Sequence, residues 1–227
     1  MKSILLWCAL AFAGLAARAQ DPAPLSKGEV NTLFPETVKA RLGIKFPVFK
    51  AFAFQDRHGS NYVLLTESQD SIVHDGPNAD TLHRAIKAVC VVANGDGYTK
   101  NWEINDFIDK TAGEISIWFW SKSCAFTDLD GDGLADVFIA YSTKGEEDGN
   151  GGRLKLILVY KGQKIAIRHQ DSDLDEGRQT RVDATFYALP ATVQQQGIAI
   201  LKRIVQNEEA YLGSGWEEGM KKHKSVL

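Results

Sequence analysis

The chain has 227 residues, 44% of them hydrophobic, with 6 Pro and 20 Gly. That is enough apolar chain for a real core, and it excludes a disulfide-built miniprotein, a collagen-like repeat and a disordered polymer. A formal charge of -3, with no run of Lys or Arg longer than Lys221 and Lys222, offers no electrostatic footprint for nucleic acid, so nucleic acid is not an expected partner.

Met1 and Lys2 make a short basic start, residues 4–16 are an unbroken apolar and small run, and Ala17, Arg18 and Ala19 supply a small-x-small cleavage pattern. Residues 1–19 therefore read as a signal peptide, cut before Gln20. Residues 20–227 read as a single β-rich domain with its core at about 44–207. The apolar run is shorter than the ~20 residues of a spanning helix, and no later stretch is longer, so no membrane span is expected. Cys8 sits inside the leader rather than at the cut, which argues against lipid anchoring. The expected destination is outside the cytoplasm: periplasm, cell surface or medium. There Cys90 and Cys124 can either bridge or remain buried thiols, and spacing does not choose between them.

After a polar lead-in, Ser26 followed by Glu29 has the capping-box spacing of a helix start, and Pro35 and Gly43 suit the start and stop of a second short helix within 27–42. The period then changes to two. Residues 49–54 and 61–67 flank a polar turn and predict a hairpin, and 83–93 and 98–107 flank Asn94-Gly95-Asp96-Gly97 and predict another. Further strands are predicted at 114–126, 136–142, 153–160 and 164–169. No helical crossover separates them, so the pairing should be antiparallel. A helix returns after Pro190, with Ile198, Leu201, Ile204 and Val205 on one face. The predicted class is α+β: predominantly an antiparallel β-sheet meander, with short N-terminal helices and one C-terminal helix.

Residues 128–136 read DLDGDGLAD, the segment with the most specific chemistry. Asp128, Asp130 and Asp132 fall at positions one, three and five of a calcium-loop pattern, Gly133 at six, the Leu134 carbonyl at seven and Asp136 at nine. Four carboxylates in nine residues repel one another, and a bound dication removes that cost. Oxygen-only donors favour Ca²⁺ over transition metals. Position twelve is Ile139, so the bidentate Glu of an EF-hand is missing, and the following VFIAYS alternates like a strand. The loop is thus EF-hand-like in spacing but resembles the calcium loops between strands of FG-GAP-type repeats. Asp171, Asp173 and Asp175 repeat the alternation without the glycine, and Glu146, Glu147 and Asp148 form a further acidic stretch.

Trp118 and Trp120 share one face of a predicted strand and are candidate glycan contacts, with core packing as the competing role. The five histidines show no ligand spacing and read as turn or surface positions. No G-x-S-x-G, HExxH or phosphate-cradling glycine loop is present, so no catalytic residues are assigned.

The segments DRHGSNYVLLTE, AVCVVANGDGYTKNWEINDF, FTDLDGDGLADVFIAYS and LKLILVYKGQKIAIRH, in that order, resemble exported bacterial proteins labelled surface polysaccharide biosynthesis proteins. The resemblance spans about residues 47–205 and implies an envelope-associated β-rich protein. Two functions follow as expectations. The first is a calcium-stabilised cell-envelope protein that binds a surface glycan or an envelope protein and is not an enzyme. The alternative is an enzyme of surface polysaccharide assembly or trimming, which two carboxyl groups facing each other across a pocket would favour. The leader is open to a direct check: the intact mass of protein recovered from outside the cytoplasm should correspond to a chain starting at Gln20, and retention of residues 1–19 would remove the export reading.

Overall fold

A computed structural model describes residues 22–75, 78–95, 97–146 and 151–227. The predicted leader lies outside these residues. The chain opens with a short strand, β1 (Ala23–Pro24), and two helices, α1 (Lys27–Leu33) and α2 (Glu36–Leu42). The Ser26 hydroxyl accepts from the Glu29 amide at 3.3 Å while Glu29 Oε2 accepts from the Ser26 amide at 2.7 Å, the reciprocal capping box predicted from the sequence. Gly43 ends α2 in the left-handed region at φ 71°, and Pro35 caps the helix rather than entering its first turn.

Two antiparallel sheets follow. In the first, β2 (Val48–Asp56) and β3 (Gly59–Glu67) form a hairpin around Arg57 and His58. β4 (Ser71–Asp75) and β5 (Asn78–Leu82) make a separate two-stranded ribbon, after which β6 (Ala85–Asn94) and β7 (Gly97–Phe107) return to the sheet in the order β1-β2-β3-β6-β7. The second sheet contains β8 (Glu114–Phe119), β9 (Ala125–Thr127), β10 (Asp136–Gly145), β11 (Gly152–Tyr160), β12 (Gln163–Asp171) and β13 (Gln179–Val182). Its order is β13-β12-β11-β10-β8, with β9 also pairing β10. Helices α3 (Ala191–Gln206) and α4 (Trp216–Lys221) close the chain. Among the described residues every strand pairing is antiparallel, and no helix is long and apolar enough to cross a membrane.

The α+β class and the antiparallel pairing match the expectation; the single meander resolves into two sheets that pack face to face. Val63, Leu65, Ile86 and Ala88 of the first sheet share one apolar cluster with Ile117, Val137, Ile139 and Ile157 of the second. On the outside of the first sheet, Leu64, Val89 and Val91 pack under Val30, Phe34 and Leu42 of the N-terminal segment. On the outside of the second, Phe138, Leu156 and Ile167 pack under Val193, Ile200 and Ile204 of α3. The result is four layers, helix-sheet-sheet-helix.

The strand predicted over 114–126 is interrupted. Trp120 leaves β-sheet geometry, Ser121–Ser123 form one 3-10 turn, and β9 then rejoins the same side of β10. The polar Ser-Lys-Ser segment has no apolar alternation to hold it in the ladder. Cys90 and Cys124 are both free thiols within the same apolar cluster, and burial pushes the Cys124 thiol up to about 12.

Gly197 shows how closely α3 lies on the second sheet. A Cβ there would meet the Phe186 ring at 3.0 Å and the Phe138 ring at 3.3 Å, whereas a Cβ on Gly28 in exposed α1 meets nothing nearer than 3.9 Å. Helix propensity favours Ala over Gly by up to ~1 kcal/mol at either site, but overpacking between two fully buried rings costs about 1–3 kcal/mol. Urea midpoints should therefore move in opposite directions, upward for Gly28→Ala and downward for Gly197→Ala.

Candidate metal centre

The connection from β9 to β10 is built by its own carboxylates. Asp128 organises it: Oδ1 accepts from the Gly131 amide at 2.8 Å and the Asp132 amide at 3.2 Å, and Oδ2 accepts from the Gly133 amide at 2.8 Å. Gly131 and Gly133 take φ values of 76° and 85°, the left-handed region that lets the chain wrap around one side chain. Asp136, the first residue of β10, reaches back to accept from the Leu129 amide at 2.9 Å.

One carboxylate oxygen from each of Asp128, Asp130 and Asp136 lies within 4.8 Å of the others. A hard dication fits this donor set, which is oxygen only. Asp136 is 3% exposed. Burial, and then the charges of Asp130, Asp128 and Asp132, push its carboxyl up to about 6 against the opposing Leu129 hydrogen bond.

Asp132 and Leu134, the other two predicted ligands, are engaged differently. Asp132 Oδ1 accepts from the Leu134 amide at 2.8 Å, and Oδ2 lies 2.9 Å from the Lys161 ammonium. Lys161 also stands 3.2 Å from Asp130 Oδ2, which accepts from the Tyr160 hydroxyl at 2.8 Å. Burial alone would raise Asp130; the bonds from Tyr160 and Lys161 outweigh it and hold the carboxyl below its ordinary value. Lys161 lies in the turn from β11 to β12 at φ 48°, next to Gly162 at 78°. The Arg57 amide, in the turn from β2 to β3, donates to the Gly133 carbonyl at 2.7 Å. Two turns, one from each sheet, therefore meet at the loop.

Sequence reasoning missed Tyr160 and Lys161, which reach the loop from a turn some thirty positions away with no spacing signal. Among the described residues, the other acidic positions do not join the site. Asp171 accepts from the Ser172 and Tyr211 amides and Asp175 pairs with Arg178, while Glu147 and Asp148 lie outside the described residues.

Trp118 and Trp120 are both half-buried and line one open depression of about 410 Å³, with Lys122 and Glu209 at its border. Trp120 also packs against the apolar cluster beneath α3. Two histidines overturn the turn-or-surface reading. His83 and His169 are buried, His83 in the connection between β5 and β6 and His169 within β12, whose alternation places it inward. His169 Nδ1 is 2.9 Å from the Thr180 hydroxyl.

Compared with protein-family models, curated proteins and solved structures, the chain gives no match.

The raised Asp136 carboxyl has a defined consequence for the metal-free protein. Between its unfolded value of about 4 and its folded value of about 6, the native state binds more protons than the unfolded state, so this group's contribution to stability falls as pH rises through that window. The full difference is about 3 kcal/mol by linkage. In chelator-treated protein, the advantage of Asp136→Asn over wild type in urea melts should be small at pH 4 and should widen by pH 7. A gap that stays constant with pH would show that Asp136 is not the group responsible.

Proposed function

We propose that this chain is an exported cell-envelope protein, stabilised by Ca²⁺, that binds a surface glycan or protein partner rather than carrying out a reaction. The observation that carries the calcium half is the cluster of Asp128, Asp130 and Asp136 oxygens around a common point, one of them on a buried aspartate. Each carboxylate repels the others, and a dication among them turns that repulsion into attraction. The location adds a reason for a structural role. The loop is bonded to the turn from β2 to β3 and to the turn from β11 to β12, so an ion there ties together the ends of both sheets.

Lys161 sets the affinity. Its ammonium already neutralises part of the acidic cluster, so calcium binds in competition with a tethered cation and lacks a twelfth-position glutamate. The dissociation constant expected for this class of extracellular site is on the order of 10⁻⁴ to 10⁻³ M. The partner half rests on the leader-like start, on the resemblance to surface polysaccharide proteins, and on the open depression beside Trp118 and Trp120.

The test is thermal melting of chelator-stripped protein. Calcium at ten times its dissociation constant stabilises by about 1.4 kcal/mol, a rise in Tm of about 2–6 °C for a domain of this size. Magnesium, which sheds water reluctantly and demands tighter geometry, should do less. Asp130→Ala should abolish the calcium response, and Lys161→Gln should shift it to lower calcium concentration. A wild-type Tm indifferent to millimolar calcium would leave the segment an acidic turn.

A further inference from the structure

A second group of buried polar side chains lies away from the acidic loop, where the outer edge of β8 meets the first sheet. The Trp120 amide donates inward to the Ala140 carbonyl of β10 at 2.9 Å, but the Ile117 and Phe119 amides point the other way. Ile117 donates to the His83 carbonyl at 2.9 Å and Phe119 to Glu67 Oε1 at 2.9 Å. Capping an edge strand explains one oxygen of Glu67. It does not explain why a carboxylate, rather than an amide or hydroxyl, is buried there.

The other oxygen, Oε2, lies 3.4 Å from His83 Nε2. His83 Nδ1 accepts from the Gln69 amide at 3.0 Å, which assigns the ring proton to Nε2 and makes the imidazole a donor toward Glu67. Burial pushes the His83 pKa down against the charges of Asp70 and Asp80, and pushes the Glu67 carboxyl up against the Phe119 hydrogen bond. With both nitrogens engaged, His83 orients Glu67 and has no lone pair left to act as a base.

Glu67 and His83 line a cavity of about 250 Å³ together with Ser116, Thr81 and Asp80. Its apolar lining comes from two aromatic side chains, Trp118 and Phe49, and Lys144 completes it. The volume falls below the ~300–1,000 Å³ of pockets for drug-sized ligands and suits one ring rather than an oligomer. Two carboxylates and two hydroxyls make the cavity rich in acceptors, so its ligand must bring several O–H or N–H donors. The aromatic lining requires that the same ligand have an apolar face. A cation satisfies the first condition but meets Lys144 in the same cavity. A neutral sugar ring, with hydroxyls around its rim and C–H groups on its face, satisfies both.

We propose that this cavity is a binding subsite for a single neutral pyranose, in which Trp118 and Phe49 hold the ring face and Glu67, oriented by His83, accepts hydroxyl protons. The inference rests on the glycan-binding reading and narrows it from the open depression beside Trp118 and Trp120 to the cavity that Trp118 shares with Glu67 and His83.

The experiment follows the indole N–H resonances of ¹⁵N-labelled protein during titration with glucose, galactose, mannose and N-acetylglucosamine, with Trp118→Phe identifying the Trp118 signal. At least one sugar should shift that signal saturably. Glu67→Gln, which retains an acceptor for the Phe119 amide, and Trp118→Ala should each weaken binding by about tenfold or more, the effect of losing one charge-assisted hydrogen bond or one stacking surface. Leu174→Ala, an exposed side chain remote from both depressions, should change it less than about twofold. Melting curves verify that the variants fold. Affinity electrophoresis in gels containing dextran, mannan or alginate runs in parallel. Retardation by a polymer, with no sugar moving the Trp118 signal or with binding unaffected by Glu67→Gln and Trp118→Ala, overturns the subsite and leaves the glycan reading standing. Absence of both responses overturns both.

Discussion

β10 is apolar on both faces, and the layering of the molecule follows from that. Val137, Ile139 and Tyr141 face the first sheet, Phe138 and Ala140 face α3, and all five are buried. An ordinary antiparallel strand leaves one face to water; a strand of this kind needs cover on both. At about 1.5–3 kcal/mol for each large side chain fully withdrawn from water, the three on its inner face alone contribute an amount comparable with a domain's net stability. β3 and β6 carry the same demand in the first sheet, where Leu64, Val89 and Val91 require the N-terminal helices. The edges are managed as well. Glu67 and His83 satisfy the outer amides of β8, while the amides of Val182 and Leu227 bond to the Ser225 and Thr180 carbonyls, laying the C-terminal residues along β13.

The strands were legible because alternation is a local property, and the first helix was legible because Ser26 and Glu29 lie three residues apart. The division into two sheets was not legible. A series of hairpins has the same local pattern whether the hairpins lie side by side or fold over one another, and residues 137–141, read above as alternating, are in fact an unbroken apolar run covered on both faces. The ribbon of β4 and β5, with Ile72 and Val73 exposed, has no buried face to leave a period. The short α4 has too few turns for one. The acidic loop could be read because its geometry is encoded within nine residues, but Tyr160 and Lys161 are brought to it by the second sheet. The Glu67 and His83 pair is of the same kind: its members lie on separate strands, and neither neighbourhood carries a motif.

The acidic loop and the buried pair solve related problems by different means. At the loop, three carboxylates share a small volume, and a lysine from a neighbouring turn offsets part of their charge. At the edge of β8, a single carboxylate is held by one backbone amide and a neutral imidazole. The first arrangement leaves excess negative charge, which suits a cation. The second leaves one carboxylate whose oxygens are directed by an amide and an imidazole, with burial pushing its pKa up, which suits a hydroxyl.

The double-sided burial of β10 also removes a safeguard. In a strand with one wet face, slipping by a single residue turns apolar side chains outward, so the hydrophobic pattern itself holds the alignment. Val137 through Tyr141 carry no such information, because either parity presents an apolar face to both neighbours. Alignment must come from the ends of the strand, where polar groups have fixed counterparts. At one end Asp136 bonds to the Leu129 amide, and at the other the Ser142 hydroxyl donates to the Arg153 carbonyl and the Thr143 hydroxyl to Glu114, itself held by Arg153. A shifted β10 would strand these groups in an apolar interior without partners. The polar residues at its two ends thus act as fiducial marks, giving a strand buried on both faces its one permitted alignment.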